Sequence, residues 1–399
     1  RQDIKTRSLE GAFNYYHILN PTNHINWSLG YTDTRQELVS SLDQAESSEE
    51  LDLGEFENDS RFDFQDLYLG MTYKTKWKSV VISPSLYLHR YAWNDIQIED
   101  ELSNDKILLL PGMFAKWSIS SNRSVTYRFS SQANFMDIEK LAQGLVISDY
   151  NSIFRGNRQL DNGLYYTQSL NYNHFDFFSS LNLFGNLSWS RKHHDLVNTT
   201  DFAGINRIMS IQNIEPVNET LTGSLQADKR FQSFKISGGG NWNTYATNSF
   251  VDQNLIKNSQ FAHSYFMKFT STFMKTVEVD LGYTWNQNFY NSTNAKNTFN
   301  THSPKIEVDW DIWKGLKLNA DYTYNAYMNK AAQTRSDFDF FNAFLSYQAR
   351  SSPWEFRLTV WNILDTRSIR RDSFTENLIS TYSYLVQPRY GLFTVKWDI

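Results

Sequence analysis

The chain has 399 residues, 38 Lys plus Arg against 43 Asp plus Glu, a formal net charge of -5 and no Cys. Zero Cys excludes a disulfide framework and thiolate metal sites, and the mild acidity excludes the basic footprint of a nucleic-acid binder. An aromatic content of 16% with a mean hydropathy of -0.54 fits a membrane barrel: half of each strand stays polar while Tyr and Trp collect at the lipid boundaries.

No apolar run reaches roughly 18 residues, so no transmembrane helix is predicted. No Pro-rich, Gly/Ser-rich or low-complexity linker divides the chain, and residues 1–399 read as one domain. The chain opens on Arg1-Gln2-Asp3, without an initiator Met or a signal-peptide pattern, and reads as part of a longer protein.

Short turns are predicted first near Pro21-Thr22-Asn23, Lys76-Trp77-Lys78, Ser121-Asn122-Arg123 and Phe175-Asp176-Phe177. Four more follow near Arg230-Phe231-Gln232, Met274-Lys275-Thr276, Trp313-Lys314-Gly315 and Arg350-Ser351-Ser352. Long polar loops are predicted between them, at 36–62, 95–106, 136–162, 194–216, 247–259, 289–299, 329–336 and 366–380. Short periplasmic turns alternating with long extracellular loops are the asymmetry of outer-membrane barrels.

The intervening segments alternate with a period of two. Val125, Tyr127 and Phe129 alternate with Thr126, Arg128 and Ser130. Val277, Val279, Leu281, Tyr283 and Trp285 alternate with Glu278, Asp280, Gly282, Thr284 and Asn286. Ile306, Val308 and Trp310 alternate with Lys305, Glu307, Asp309 and Asp311. From Leu316 to Met328 the apolar and polar positions again take turns. Charges keep to one face, as expected where a charge facing mid-bilayer lipid costs about 2–4 kcal/mol. Pro84 and Pro388 interrupt two runs and predict bulges. Phe184 and Phe344 fall on the polar face and predict packing against material in a lumen.

The predicted fold is all-β: a transmembrane antiparallel β-barrel with about 17 strands in this chain. The first and last strands both run toward the periplasm, so they would close in parallel. Bacterial single-chain barrels have even strand numbers; an odd number of strands is therefore expected upstream, about five completing a 22-stranded barrel, the size of plugged transporters.

Two segments carry a resemblance. NILDTRSIRRDSFTENLISTYSYLVQPRYGLFTVKWDI (362–399) resembles the C-terminus of the outer-membrane-protein β-barrel family of Bacteroidota, grouped with TonB-dependent receptors. FRGNRQLDNGLYYTQSLNYNHF (154–175) resembles the receptor pattern Gly-Asn-Pro-x-Leu leading into a strand: Gly156, Asn157 and Leu160 match, and Arg158 stands where the pattern has Pro. The resemblance implies a 22-stranded barrel in the outer membrane of a Gram-negative bacterium, filled by an N-terminal plug and energised by TonB. Plug and TonB box are outside this sequence. It also implies outer-membrane lipids as surroundings, with a surface lipoprotein or other outer-membrane subunits as partners.

Residue clusters that could carry chemistry are few. Glu46, Glu49, Glu50, Asp52, Glu55, Glu57 and Asp59 form one acidic loop; Asp95, Glu99, Asp100, Glu101 and Asp105 form another. Neither has EF-hand spacing, so both read as solvated loops. Arg367, Arg370 and Arg371 make the last loop basic, suited to an acidic loop or lipid phosphates. His193 and His194 are adjacent on a strand and point to opposite faces, a poor metal pair; His263 and His302 read as isolated. Arg128, Glu278, Asp280 and Asp321 on the polar face would line a lumen.

Gly238-Gly239-Gly240 lies mid-strand with no helix behind it. It therefore signals close approach of another chain segment rather than a phosphate loop. No spacing spells a catalytic triad. The chain reads as a non-enzyme with no catalytic, cofactor or metal residue, importing a bulky nutrient; the alternative is a non-transporting barrel that docks partners in a larger complex.

Overall fold

A computed structural model of the protein describes residues 2–42, 54–98, 100–214, 218–271, 274–293, 295–350, 352–374 and 379–397. The strands are, in order, β1 (Gln2–Asn20), β2 (Asn23–Ser40), β3 (Asn58–Trp77), β4 (Val80–Gln97), β5 (Asp100–Ser120), β6 (Arg123–Asn134), β7 (Leu145–Asp149) and β8 (Ser152–Arg155). Next come β9 (Gly163–Asp176), β10 (Leu181–His193), β11 (Asp195–Ala203), β12 (Asn206–Ile214), β13 (Asn218–Arg230), β14 (Phe234–Val251), β15 (Asn254–Ser271) and β16 (Val277–Ser292). The last are β17 (Lys296–Trp313), β18 (Leu316–Asn329), β19 (Thr334–Gln348), β20 (Trp354–Trp361), β21 (Ser368–Phe374), β22 (Ile379–Leu385) and β23 (Tyr390–Trp397). One four-residue helix, α1 (Ile138–Leu141), precedes β7.

The all-β class and the strand count expected from sequence hold. Two hairpins, β7–β8 and β11–β12, lie in segments read as loops, and a third, β21–β22, begins in one and runs past its end at 380; the other 17 strands are the predicted alternating runs. All eight predicted short turns fall between strands.

The chain divides into two compact units. The first comprises Arg1–Leu170, Ser188–Thr220 and Ala246–Lys257. In it β1 to β6 form an antiparallel meander, each hairpin partner paired over most of its length. β8 lies parallel to β12, with Ile153 opposite Ile208, and β11 lies parallel to the end of β14. The second unit comprises Asn171–Leu187, Leu221–Tyr245 and Asn258–Ile399. In it β15 to β20 continue as antiparallel neighbours, and β20 pairs with β23.

The faces are inverted relative to a water-soluble sheet. Leu67 and Leu69 on β3, Leu86 and Leu88 on β4, and Leu281 and Tyr283 on β16 are exposed. Asp280, one position from Leu281, has a side chain only 16% exposed and lies 2.7 Å from Lys268. Among the described residues, 21 polar residues are buried against 16 apolar ones. Hydrophobic burial normally drives the opposite partition; a sheet whose apolar face meets hydrocarbon reverses it. Trp gathers beside short turns in both units. Trp77 and Trp117 are both opposite Val80, and Trp354 and Trp397 meet edge to face at 4.3 Å between ring centroids. Such aromatic girdles mark membrane–water boundaries.

Four readings need correction. Segment 95–106 is not a long loop: β4 and β5 stay paired up to Gln97 opposite Asp100. Segment 247–259 narrows to Asp252 and Gln253, whose φ values of 46° and 62° close a tight two-residue hairpin, the geometry that twisted strands favour. Polar residues paired in register extend these strands, so polarity alone overstates the loops.

Pro84 makes no bulge. The β3–β4 ladder skips from Thr72–Ser85 to Thr75–Ile82 without changing register, while Pro84 stays opposite Met113 of β5. A missing N–H removes a ladder bond without requiring an extra residue. Pro388 lies outside any strand, between β22 and β23. Lastly, His263 and His302 are not isolated: they sit among rings on the apolar face, where Tyr283 Oη is 2.5 Å from His302 Nδ1 and Trp285 stacks on His302.

Candidate functional site

In the first unit, residues 135–162 form a strap rather than an open loop. Met136, Ile138, Leu141, Val146 and Leu160 bury their side chains against Leu38 and Phe62 of the meander. Gly156, the first residue of the receptor-like motif, donates its N–H to Ala142 O at 2.8 Å, and a Cβ there would lie 2.6 Å from the Ala142 backbone. Only glycine permits that approach. Asn157 donates its backbone N–H to Lys140 O and its side-chain amide to Ile211 O, while its Oδ1 accepts from the Gln159 N–H.

Arg158 holds the strap down. Its Nε is 2.5 Å from Asp95 Oδ2, its Nη1 is 2.5 Å from Asp100 Oδ2, and Nη2 donates to Asp95 O. Arg158 and Asp95 are 7% and 3% exposed. Burial disfavours the guanidinium charge, but the two carboxylates outweigh it and raise the pKa above its ordinary value. Gln97 completes the joint: its amide donates to both Asp95 oxygens and to Leu141 O, and its Oε1 accepts from the Gln143 N–H.

Under the strap, the polar face of β3 and β4 carries an aromatic stripe. His89 stacks between Tyr68 and Tyr91, with ring centroids 5.1 and 5.2 Å away, and its Nδ1 is 2.9 Å from Asp66 Oδ1. Phe135, where the strap begins, packs on Tyr91 and Phe64 at 4.4 and 4.9 Å. A cavity of about 290 Å³ lies between Phe135 and Asp66.

In the second unit the polar face has two zones. Beside the short turns it is charged: Glu278, Asp309, Lys317, Glu355 and Arg357 border a cavity of about 740 Å³, and Arg357 lies over the Phe344 ring. Phe344 thus faces the polar side as expected, covered by a guanidinium. Further along the same strands the charges stop. Ser264, Asn286, Thr301, Tyr327 and Ser336 follow one another across β15 to β19, in a single row of register partners. The next row reads Ala262, Asn288, Phe299, Asn329 and Thr334. With Asn241 and Asn243 of β14 and Asn186 of β10, these strands border a cavity of about 550 Å³. His263 of β15 lines it as well.

The remaining sequence candidates do not converge. Glu55 pairs with Arg155 of the strap at 2.8 Å, Glu101 accepts from Asn94, and Asp105 faces Arg90 at 3.9 Å. Glu57 and Asp59 flank the start of β3. Glu46, Glu49, Glu50, Asp52 and Glu99 lie outside the described residues. Arg367 pairs with Asp365 at 2.7 Å. His193 meets Tyr166 edge-on, and His194 takes φ 50° just past β10. Gly239 does mark a close approach: a Cβ would lie 2.5 Å from Leu225 O and 2.8 Å from the Phe266 ring. On the polar face Arg128 lies over Phe114, and Asp321 accepts from Asn342. Among the described residues no group of three or more His, Cys, Asp or Glu is placed to hold a metal.

No family model and no curated protein matches the chain. Similar solved structures include receptors and a transporter. The ferric preacinetobactin receptor BauA from Acinetobacter baumannii is 12% identical, with 100% of this chain and 64% of that chain covered and a TM-score of 0.48. The copper transporter OprC is 10% identical over 99% of this chain and 66% of its own, with a TM-score of 0.46. The ferric yersiniabactin uptake receptor FyuA from Yersinia pestis is 10% identical over 99% and 61%, with a TM-score of 0.38. The chain thus spans less than two thirds of the length of BauA and FyuA. The fold assignment itself rests on the long antiparallel strands and their two faces.

Proposed function

We propose that the chain is barrel strands of a TonB-dependent-receptor-like importer in the outer membrane of a Gram-negative bacterium, taking in a bulky nutrient. One observation carries the reading: long paired strands expose one apolar face and shelter a polar one. That arrangement suits hydrocarbon outside and a wet passage inside. The affiliation with the Bacteroidota barrels rests on the C-terminal segment at 362–399. An N-terminal plug, engagement of TonB and a surface lipoprotein belong to this reading of the whole protein.

The strap favours a transporter over a purely structural barrel, because it is anchored by a buried ion pair above an aromatic cavity on the polar face. Uptake by cells lacking the parent gene is the test. A growth defect on one nutrient, restored by the wild-type gene, supports import. Unchanged uptake together with a stable stoichiometric complex in mild detergent would favour the assembly-partner reading.

A further inference from the structure

We infer that the cavity between the strap and the aromatic stripe of β3 and β4 is a binding site for a small organic ammonium ion. The site stands on the first unit alone and does not depend on import. Its walls are rings. Phe135, where the strap begins, lies 4.4 Å from Tyr91 and 4.9 Å from Phe64, with planes tilted by 45° and 50°. Phe62 continues the wall beside Phe64. Rings this close let one cation lie within roughly 6 Å of several centroids, the reach of cation–π attraction.

The lining also holds two carboxylates, Asp66 and Asp137, and among the described residues no Lys or Arg. His89 holds Asp66 from outside the lining, its Nδ1 2.9 and 3.1 Å from the two oxygens. An ionised carboxylate has about four lone-pair sites, so Asp66 keeps capacity for a cation in the cavity. The row of register partners through Asp66 runs on to Tyr91 and Lys106, but Lys106 pairs with Asp161 at 2.7 Å. Arg158 is held by Asp95 and Asp100, and Lys140 comes no nearer than 3.5 Å to the mostly exposed Asp137.

Other occupants fit poorly. A neutral apolar ligand strips water from Asp66 and returns nothing for it. An anion meets two like charges. A hard metal ion such as calcium takes about six to eight oxygen ligands, which a wall of rings does not supply. The cavity of about 290 Å³ lies at the lower end of ligand sites, roughly 300–1,000 Å³, with room for a small head group and not for a bulky nutrient. An alkylated ammonium ion meets both demands: its charge faces the carboxylates and its methyl surface packs on the rings.

The test is calorimetric titration of the purified protein in a maltoside detergent, which carries no ammonium group, at about pH 8, above the ordinary imidazole range. The probes are choline, tetramethylammonium, dimethylbutanol as the neutral isostere of choline, and calcium chloride. The expected result is binding of both ammonium ions, with the isostere and calcium at least tenfold weaker. Phe135→Leu and Asp66→Asn should each weaken choline at least tenfold, and Asn122→Ala in the β5–β6 turn should leave it unchanged. Equal binding of the isostere, preference for calcium, no ammonium binding, or binding indifferent to both site variants would overturn the inference. Heat-modifiable migration on a gel reports folding of each variant, and the selectivity of the wild-type protein decides the case where a variant does not fold. A folded protein that binds no ammonium ion sinks this site alone and leaves the importer reading standing.

Discussion

Arg158 and Asp95 meet at 2.5 Å with both side chains almost wholly buried, tying the strap to the end of β4. Removing one partner of such a pair leaves an uncompensated buried charge, which costs about 3–5 kcal/mol. Arg158→Ala or Asp95→Ala should therefore lower stability by about that much. The double variant should cost less than the sum of the two. Denaturant titration of the detergent-solubilised protein measures it; strictly additive losses would show that the two groups are not coupled.

The inverted faces predict an asymmetry between neighbours. Leu281→Arg places a cation where the side chain meets hydrocarbon and should cost about 2–4 kcal/mol of folding into lipid vesicles. Asp280→Asn, on the sheltered face beside Lys268, should cost on the order of 1 kcal/mol or less, the scale of one partly exposed ion pair. Equal losses would contradict the assignment of faces.

Close approach at Gly239 predicts a steep difference within one glycine run. Gly239→Ala drives a methyl into Leu225 O and the Phe266 ring, and should destabilise by about 1–3 kcal/mol. A Cβ at Gly238 meets nothing nearer than 3.5 Å, so Gly238→Ala should be near neutral. Thermal melting of the two variants side by side checks it.

Low pH should loosen the joint between Asp365 and Arg389 before the long strands of the sheet. Asp365 accepts from the Arg367 side chain and the Arg389 N–H, which hold its carboxyl below the usual carboxylate range. A lowered folded pKa means the stabilisation is present above the unfolded pKa and is lost as pH falls through the folded one. Hydrogen exchange at the Arg389 amide, which donates to Asp365, should accelerate as pH drops below the ordinary Asp range, after correction for intrinsic rates. Asp365→Asn should remove that pH dependence.

Sequence reading reached furthest where one variable decides structure. Period-two alternation located the 17 long strands because adjacent side chains in β16 face different surroundings, as Asp280 and Leu281 do. The eight short turns were legible for the same reason: alternation stops there. Loop lengths were misjudged because Asn, Asp and Glu in 95–106 pair in register as readily as they hydrate.

The strap was hidden for a different reason. Its apolar residues sit on elements too short to show a period, Ile138 and Leu141 on the one-turn helix α1 and Val146 on the five-residue strand β7, and their partners Leu38 and Ile211 are far away in sequence. Arg158 in place of a motif Pro was the one local signal, and its two carboxylate partners sat in a segment read as a solvated acidic loop. The row of hydroxyls and amides on β15 to β17 could be found only after register aligned Ser264, Asn286 and Thr301.

The central claim is that consecutive side chains of a strand meet lipid and water by turns. The chain contains no Cys, so single cysteines at positions 279 to 286 can be spin-labelled one at a time in lipid vesicles and their collisions with oxygen and a water-soluble relaxant compared. The account predicts oxygen-dominated collisions at 279, 281, 283 and 285, and protection from oxygen with access to the water-soluble reagent at 280, 282, 284 and 286. A flat profile along the strand, with the water-soluble reagent reaching every position equally, would contradict it.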